Sequence, residues 1–403
     1  MIEHAGTCSI DTILGHELRF TSGQGGYVYS EKGNKYYDFI LGFGPVVVGH
    51  SDPEFNSIVS SYLSVGIHFP SYSIYHEEFI KLLEGTQWSA ASFFKTSSES
   101  VTAAIRIAMC ASGRKEVVRC GFIGWHDAEI ALTGSWHEPP DSPYRTTLRF
   151  TKNFRGVSGE EKVHNWYDFE LDTLENILKT EKIAVFIIDA YQLYFCKNNI
   201  IREALQLCRD YGTLTVLDET KTSGRVAFLG MSEIENYKPD LLVLGKAIAN
   251  GAPLSVLCGK QQLSEFSRTA RITGTFSKEA LSLYCALATR RIFDERNGYQ
   301  MLRHIGKMLV NTLNDVADVS GVSGLLSFRT VFGGSIINLE FAPEVHLNMT
   351  ARNNLRLQFA EEGVLILQGH PSFVCLAHKE IDMVELEEKA EKVFRKWKNN
   401  FRS

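Results

Sequence analysis

Two stretches of the chain decide its fold, namely TLTVLDE over residues 213–219 and DLLVLGK over residues 240–246. Each is a short apolar run that ends on a charged side chain, Asp218 in the first and Lys246 in the second. Apolar runs of this length indicate strands that are buried on both faces, as in a parallel sheet. Ligands of open parallel sheets bind at the carboxyl ends of the strands. We therefore expect Asp218 and Lys246 to converge on one ligand; the alternative is that both are ordinary polar residues at strand ends.

Further apolar runs alternate with helical stretches before this pair in the chain. They lie at residues 93–94, 116–119 and 184–188. A helix from about residue 200 to 211 carries apolar side chains along one stripe, which is typical of a crossover between two parallel strands. The alternation predicts an α/β fold with a mostly parallel sheet wrapped by helices.

Hydroxyl side chains follow the first apolar run at the start of a predicted helix. The segment TSSES over residues 96–100 leads into the helical pattern of residues 101–108. A helix N-terminus offers free backbone N–H groups and the positive end of the dipole, so Ser97 and Ser98 could bind a phosphate. The alternative is a plain capping box that ends on Glu99.

A lysine, a carboxylate and a phosphate site on one sheet are what pyridoxal phosphate requires. The amine of Lys246 would form an imine with the cofactor aldehyde, and Asp218 would keep the pyridine nitrogen protonated so that the ring can absorb electrons. The helix end would bind the phosphate. The combination predicts a pyridoxal-phosphate enzyme in which Lys246 and Asp218 are the catalytic residues.

The sequence resembles the class III pyridoxal-phosphate aminotransferases nearly from end to end. Its local motifs are most similar to those of the glutamate-1-semialdehyde 2,1-aminomutase branch. The matching stretches are residues 42–53, 96–100, 121–127, 217–225, 245–253, 274–277 and 377–382. The resemblance implies a pyridoxal-phosphate-dependent transferase of fold type I. The expected organisation is a large cofactor-binding domain of residues 56–295 and a small α+β domain built from residues 1–55 and 296–403.

The resemblance also implies roles for side chains around the cofactor. Phe122 would stack on one face of the cofactor ring, and Thr220 would pack beneath the other because it projects from the same side of its strand as Asp218. Ser97 and Ser98 would hold the phosphate.

Two further residues imply a second subunit. Gly274 and Thr275 resemble the segment that reaches the phosphate of the neighbouring subunit's cofactor. The resemblance therefore implies an obligate homodimer with shared active sites.

The sequence departs from the family pattern at several places. Ser97 stands where the phosphate loop has glycine, Asp189-Ala190 replaces a Glu-Pro pair, and Glu279-Ala280 replaces an Asn-Pro pair. Residues 9–13 lack the arginine that binds the substrate carboxylate in the aminomutase, and Arg19 lies some way downstream.

These features lead to one expected function and two alternatives. We expect amino transfer between a small amino compound and a carbonyl acceptor through a Schiff base on Lys246. The alternatives are an intramolecular aminomutase of the glutamate-1-semialdehyde type and a non-catalytic binding module that keeps the fold. Retention of both Lys246 and Asp218 argues against the module, since a protein without imine chemistry has no physical need for that pair.

The composition excludes several other classes of protein. The 403 residues carry 42 Lys and Arg against 47 Asp and Glu, a formal charge of −5 without any basic block, so a nucleic-acid partner is not expected. The eight cysteines show neither C-x-x-C pairs nor metal-ligand spacing, so we expect no metal and reduced thiols. The sequence also lacks a signal peptide and the apolar run of about 20 residues that a membrane span needs. We therefore place the protein in the cytoplasm, away from membranes.

Overall fold

A computed structural model describes residues 18–126, 133–134, 147–148, 163–196, 199–367 and 370–402. The strands are β1 (Phe20–Gln24), β2 (Tyr27–Ser30), β3 (Lys35–Asp38), β4 (Ala90–Phe94), β5 (Glu116–Cys120), β6 (Thr133–Gly134), β7 (Thr147–Leu148), β8 (Val163–Asn165), β9 (Ile183–Asp189), β10 (Leu214–Asp218), β11 (Leu241–Leu244), β12 (Ser255–Gly259), β13 (Leu326–Val331), β14 (Ile336–Phe341), β15 (Val364–Leu365) and β16 (Ser372–Phe373).

The helices are α1 (Pro53–Leu63), α2 (Ile74–Lys81), α3 (Ser97–Ser112), α4 (Leu171–Leu178), α5 (Ile200–Asp210), α6 (Met231–Glu235), α7 (Gln261–Thr269), α8 (Leu281–Glu295), α9 (Gly298–Val319), α10 (Pro343–His346), α11 (Met349–Glu361) and α12 (Met383–Arg402). Among the described residues, none of these helices is both long and apolar enough to cross a membrane. The chain divides into two compact units, one of residues 57–292 and the other of residues 1–56 and 293–403.

The unit of residues 57–292 is built on the predicted sheet. Its seven strands lie in the order β4-β12-β11-β10-β9-β5-β8. Strand β12 runs antiparallel to both of its neighbours, and the other six strands run parallel to one another. The α/β prediction is confirmed.

Helices cover this sheet because each presents an apolar stripe to it. Helix α3 buries Val101, Ala104 and Ala108 in one cluster with Val216 of β10 and Val243 of β11. Helix α5 is the predicted crossover between β9 and β10, and it buries the expected stripe of Ile201, Leu205 and Cys208. The parts of the sheet that these helices cover are therefore apolar.

The unit of residues 1–56 and 293–403 contains two small sheets. One has the order β1-β2-β3-β15 and the other β13-β14-β16. Turn signals alternate with short aromatic and β-branched runs over residues 20–50, which predicts a small antiparallel hairpin unit, and this unit is present as β1 to β3.

The apolar pattern of residues 279–317 predicts a long helical stretch, and the structure divides this stretch into two helices. Two helices, α8 and α9, fill the stretch, and they are separated at Asn297, whose φ of 51° is left-handed and ends a helical path. The charge-rich amphipathic pattern of residues 381–398 predicts a final helix that starts at Ile381. The helix begins at Met383 instead, because the backbone of Ile381 is extended with a ψ of 152°.

Candidate active site

Strands β9, β10 and β11 are parallel neighbours, so their carboxyl ends lie at one edge of the large sheet. Strands β9 and β10 end on Asp189 and Asp218, and these two residues are paired in register. Asp218 also pairs with Val243 of β11, so Lys246 lies three residues beyond that pairing. The two charged residues that were predicted to converge therefore stand at the ends of neighbouring strands.

The segment that was expected to bind phosphate lies beside the same strand ends. Strand β4 ends at Phe94, and Ser97 begins α3. A side chain at Gly245 would collide with the hydroxyl of Ser97 and would lie 3.6 Å from Cγ2 of Thr220. The start of α3, the end of β10 and the end of β11 therefore approach one another at Gly245, next to Lys246.

The start of α3 is a capping box, as the alternative interpretation expected. Oγ1 of Thr96 accepts a hydrogen bond from the backbone N–H of Glu99 at 3.3 Å, and the carboxylate of Glu99 accepts one from the N–H of Thr96 at 2.8 Å. Within the described chain, no hydrogen bond involves the backbone N–H groups of Ser97 and Ser98. The capping box and a phosphate site are thus compatible, since two donors at the positive end of the helix dipole are left for an anion.

Asp218 is a buried carboxylate with one oxygen engaged and one unoccupied. Its Oδ1 accepts hydrogen bonds from the N–H of Thr220 at 3.0 Å and from the hydroxyl of the same residue. No described residue donates to its Oδ2. Burial, followed by the charge of Asp189, raises the pKa of Asp218 to about 7. A protonated ring nitrogen beside Oδ2 would supply the missing partner and favour the ionised carboxylate, so this residue fits pyridoxal phosphate.

Lys246 combines a strained backbone with a perturbed amine. Its φ of 48° is left-handed, a conformation that costs free energy in a non-glycine residue and is concentrated at functional sites. Burial, followed by the like charge of Lys221, lowers the pKa of Lys246 to about 8. An amine with such a pKa is partly neutral near neutral pH and can act as a nucleophile.

Phe122 and Thr220 follow the ends of two strands of the large sheet, β5 and β10. Phe122 follows β5 and is 43% exposed, so its ring is open to a ligand. Thr220 turns its hydroxyl to Asp218 and its methyl towards Gly245. Residue 127, the last of the motif that contains Phe122, lies outside the described residues.

Gly274 and Thr275 lie in an exposed segment of the same unit. Nε2 of His68 lies 3.0 Å from the carbonyl oxygen of Thr275, and the N–H of Ala280 donates to the carbonyl of Ile67 at 2.9 Å. Nζ of Lys95, which follows β4, forms an ion pair with Glu279. Both predicted residues are exposed in the single chain.

Sequence reasoning missed two groups at this edge. Lys221 forms a buried ion pair with Asp189. The position of Asp189 directly after an apolar run could have identified it as a candidate site residue. Ser255 of β12 donates to the carbonyl of Leu244 at 2.7 Å and lies 2.7 Å from the hydroxyl of Ser100. Nothing in the sequence marks Ser255, because its contacts with Ser100 and Leu244 depend on the antiparallel direction of β12.

Comparison with known proteins places these observations in a family. The family model described as aminotransferase class-III matches residues 14–390. The glutamate-1-semialdehyde 2,1-aminomutase of Archaeoglobus fulgidus is 26% identical over 388 residues, covering 91% of this chain and 90% of the relative. The 2'-deamino-2'-hydroxyneamine transaminase of Streptomyces kanamyceticus is 28% identical over 292 residues, covering 71% and 69%.

Solved structures share the fold. The internal aldimine form of the FumI protein of Sphingopyxis sp. MTA144, which contains pyridoxal phosphate, superposes with a TM-score of 0.79 at 20% identity and covers 100% of this chain and 94% of that protein. A glutamate-1-semialdehyde aminomutase from Pseudomonas aeruginosa PAO1 gives a TM-score of 0.79 at 18% identity, covering 96% and 88%. The predicted fold type I is confirmed.

Proposed function

The chain belongs to the class III aminotransferases, and we propose that it transfers an amino group between a small amino compound and a carbonyl acceptor by means of Lys246. Its cofactor is pyridoxal phosphate. When bound, this cofactor supplies an aldehyde that accepts the amino group and a protonated ring that stabilises negative charge on the donor carbon. The observation that carries the proposal is the meeting of Asp218, Lys246 and the start of α3 at one sheet edge.

Lys246 serves first as the attachment point of the cofactor and then as the base. With the cofactor bound, the free Nζ would take a proton from the donor carbon that bears the amino group and pass it to the cofactor carbon that carried the aldehyde. The second half-reaction, with the acceptor, would run these two transfers in reverse. A base is most effective when its pKa lies near the working pH, and burial lowers the pKa of Lys246 to about 8.

Asp218 would hold a proton on the ring nitrogen through Oδ2, the oxygen that has no partner among the described residues. Thr220 keeps the carboxylate in place by donating twice to Oδ1. The N–H groups of Ser97 and Ser98 would hold the phosphate, and the exposed ring of Phe122 would cover one face of the cofactor.

We further propose a homodimer in which Gly274 and Thr275 reach the partner's cofactor. Six large apolar side chains, each at least 48% exposed, lie in residues 63–74 and at position 276. They are Leu63, Val65, Ile67, Tyr72, Ile74 and Phe276. The backbone of residues 63–74 is hydrogen-bonded to the segment that follows Thr275, through Ile67 and Ala280. An exposed apolar area of this kind marks an interface. Ile74→Asp is expected to produce monomers with weakened cofactor binding in sedimentation and titration experiments. The control Ile234→Asp, at a position 56% exposed outside this group, should stay dimeric.

A reducing compartment suits this enzyme. The cysteines of the described chain, among them Cys120, Cys208 and Cys258, are free thiols, which supports a cytoplasmic location.

The activity is tested by single-turnover absorption measurements with a panel of amino donors. The purified protein with pyridoxal phosphate should show a visible band that one class of donors converts, with release of one carbonyl product per active site. Lys246→Ala should lack the band, and the matched exposed variant Lys238→Ala should retain it. Conversion without a released carbonyl product would indicate an intramolecular aminomutase instead, and a band that no donor changes would contradict amino transfer.

A further inference from the structure

A buried ion pair stands at the candidate active site and has no part in the chemistry proposed above. Nζ of Lys221 lies 2.5 Å from Oδ2 of Asp189, and the two side chains are 4% and 2% exposed. The other carboxylate oxygen of Asp189 accepts a hydrogen bond from the N–H of Tyr191 at 3.0 Å. Burying two charges costs free energy that their attraction repays only in part, so a buried pair is weak evidence for a purely stabilising role.

The register of the sheet places this pair next to the catalytic carboxylate. Asp189 and Asp218 are paired residues on adjacent parallel strands. Their backbones are therefore about 4.8 Å apart, and both side chains project from the same face of the sheet. Two buried carboxylates at that spacing would repel each other and would attract a proton or a cation.

Aromatic rings hold the lysine of the pair in position. Nζ of Lys221 lies 5.7 Å from the ring centroid of Phe122 and 5.4 Å from that of Tyr191. Cations favour such places over aromatic rings. The ammonium group of Lys221 is thus fixed between Asp189 and the residue expected to stack on the cofactor.

The charges that act on Lys246 come from all of these elements. The positive charge of Lys221 lowers the pKa of Lys246, as does that of Arg225, whereas the negative charges of Asp189 and Asp218 raise it. Without Lys221, the negative charges of Asp189 and Asp218 would act on the amine against the positive charge of Arg225.

We propose that Lys221 is a positioning residue whose ammonium cancels the charge of Asp189, so that Lys246 faces a single uncompensated carboxylate and keeps an amine available for reaction near neutral pH. This inference rests on the proposed role of Lys246. Lys221 itself touches neither the donor nor the reacting carbon in this account, and it acts through the charge balance at the sheet edge.

The test compares Lys221→Met, Asp189→Asn and the double variant, with Lys238→Met as an exposed control. The pH midpoint of the visible band of the cofactor-loaded enzyme is the first measurement. The second uses the full-length protein without cofactor and follows the rate at which trinitrobenzenesulfonate modifies Lys246 as a function of pH, with the modified peptide identified by mass spectrometry. The second readout needs no amino transfer, so it remains informative if the proposed activity fails.

The single variants should move the two midpoints in opposite directions. Lys221→Met should raise each midpoint by about one pH unit, because it removes a like charge and exposes Lys246 to Asp189. Asp189→Asn should lower each midpoint by a similar amount, and the double variant should return to within about 0.3 unit of the wild type, because both charges are gone. Lys238→Met should leave the midpoints in place.

Two results would overturn the proposal. Midpoints that stay at the wild-type value while Lys221→Met lowers thermal stability would make the ion pair merely structural. A double variant that fails to recover would mean that Lys221 acts directly and not through Asp189. Should Lys221→Met fail to fold, the pH midpoints of Asp189→Asn and of the double variant still test the proposal. Midpoints that fall in Asp189→Asn and recover in the double variant would support it, and any other result would contradict it.

Discussion

Replacement of Gly224 by alanine should destabilise the protein and displace Lys246. Gly224 has a φ of 67°, in the left-handed region, and its N–H donates to the carbonyl of Ala227 at 2.9 Å. A Cβ at this position would lie 2.7 Å from the backbone nitrogen of Ile248 and 2.8 Å from the carbonyl carbon of Ala247. Both contacts are with backbone directly after Lys246, so a flexible side chain cannot absorb the collision.

The magnitude follows from two contributions. The left-handed conformation of a residue with a Cβ costs about 1–2 kcal/mol. Moving the backbone of the 3₁₀ helix Lys246–Ala249 adds about 1–3 kcal/mol, which gives roughly 2–5 kcal/mol in total. Because the displaced segment begins with Lys246, we also expect cofactor affinity to fall by at least about tenfold, equivalent to about 1.4 kcal/mol.

Gly85→Ala is the matched control for this prediction. Gly85 has a φ of 79° in the same unit, and a Cβ there would meet nothing within 4 Å. The control should therefore lose only the conformational contribution of about 1–2 kcal/mol. Denaturant unfolding of the cofactor-free proteins measures stability, and titration with pyridoxal phosphate measures affinity. Equal losses in both variants, with unchanged cofactor affinity, would refute the close approach of Gly224 to the lysine segment.

Two other changes test the surroundings of the site. Burial raises the pKa of Asp218 to about 7 from its ordinary 3.8, so the folded cofactor-free protein holds this proton more tightly than the unfolded chain and loses stability as pH rises from about 4 to 7. Without cofactor, the unfolding free energy of Asp218→Asn should therefore rise by about 1–3 kcal/mol relative to that of the wild type between pH 4 and 8. The same variant should bind pyridoxal phosphate more weakly. A stability difference that does not change with pH would contradict the buried charge. Ser255→Ala should lower the unfolding free energy by about 1–2 kcal/mol in denaturant unfolding, because it leaves the buried hydroxyl of Ser100 without its hydrogen-bond partner. The control Ser92→Ala, on the neighbouring strand, should lower it by less. Equal losses would show that the hydrogen bond to Ser100 adds nothing to stability.

Much of the large sheet can be predicted from the sequence because its strands are continuous apolar runs. The runs at residues 184–188, 214–217 and 241–244 lie in β9, β10 and β11, and a charged residue follows each run within two positions. The end of a buried strand is where polar chemistry becomes possible, so Asp218 and Lys246 can be recognised from their positions after the apolar runs alone.

Strand direction and long-range pairing could not be predicted in the same way. Strand β12 is as apolar as its neighbours, but its antiparallel direction depends on how the chain turns after Lys246. The pairing of Lys221 with Asp189 joins residues that are 32 positions apart in the chain. The register of β9 and β10 brings them together, and register is a property of the folded sheet.

The break between α8 and α9 shows a related limit. The helical period continues across residues 281–319, so periodicity alone predicts one helix. The interruption depends on the left-handed φ of Asn297, a conformation that asparagine tolerates better than most residues. An asparagine therefore permits a helix break at this position but does not require one.

The central claim is that Lys246, and no other lysine, carries the cofactor. Borohydride reduction of the protein loaded with pyridoxal phosphate fixes the bond between the cofactor and its lysine, and peptide mapping by mass spectrometry then locates the modified residue. We expect stoichiometric modification of Lys246 in the wild type and none at the active site of Lys246→Ala. Modification of Lys221, or a wild-type protein without any modified lysine, would contradict it.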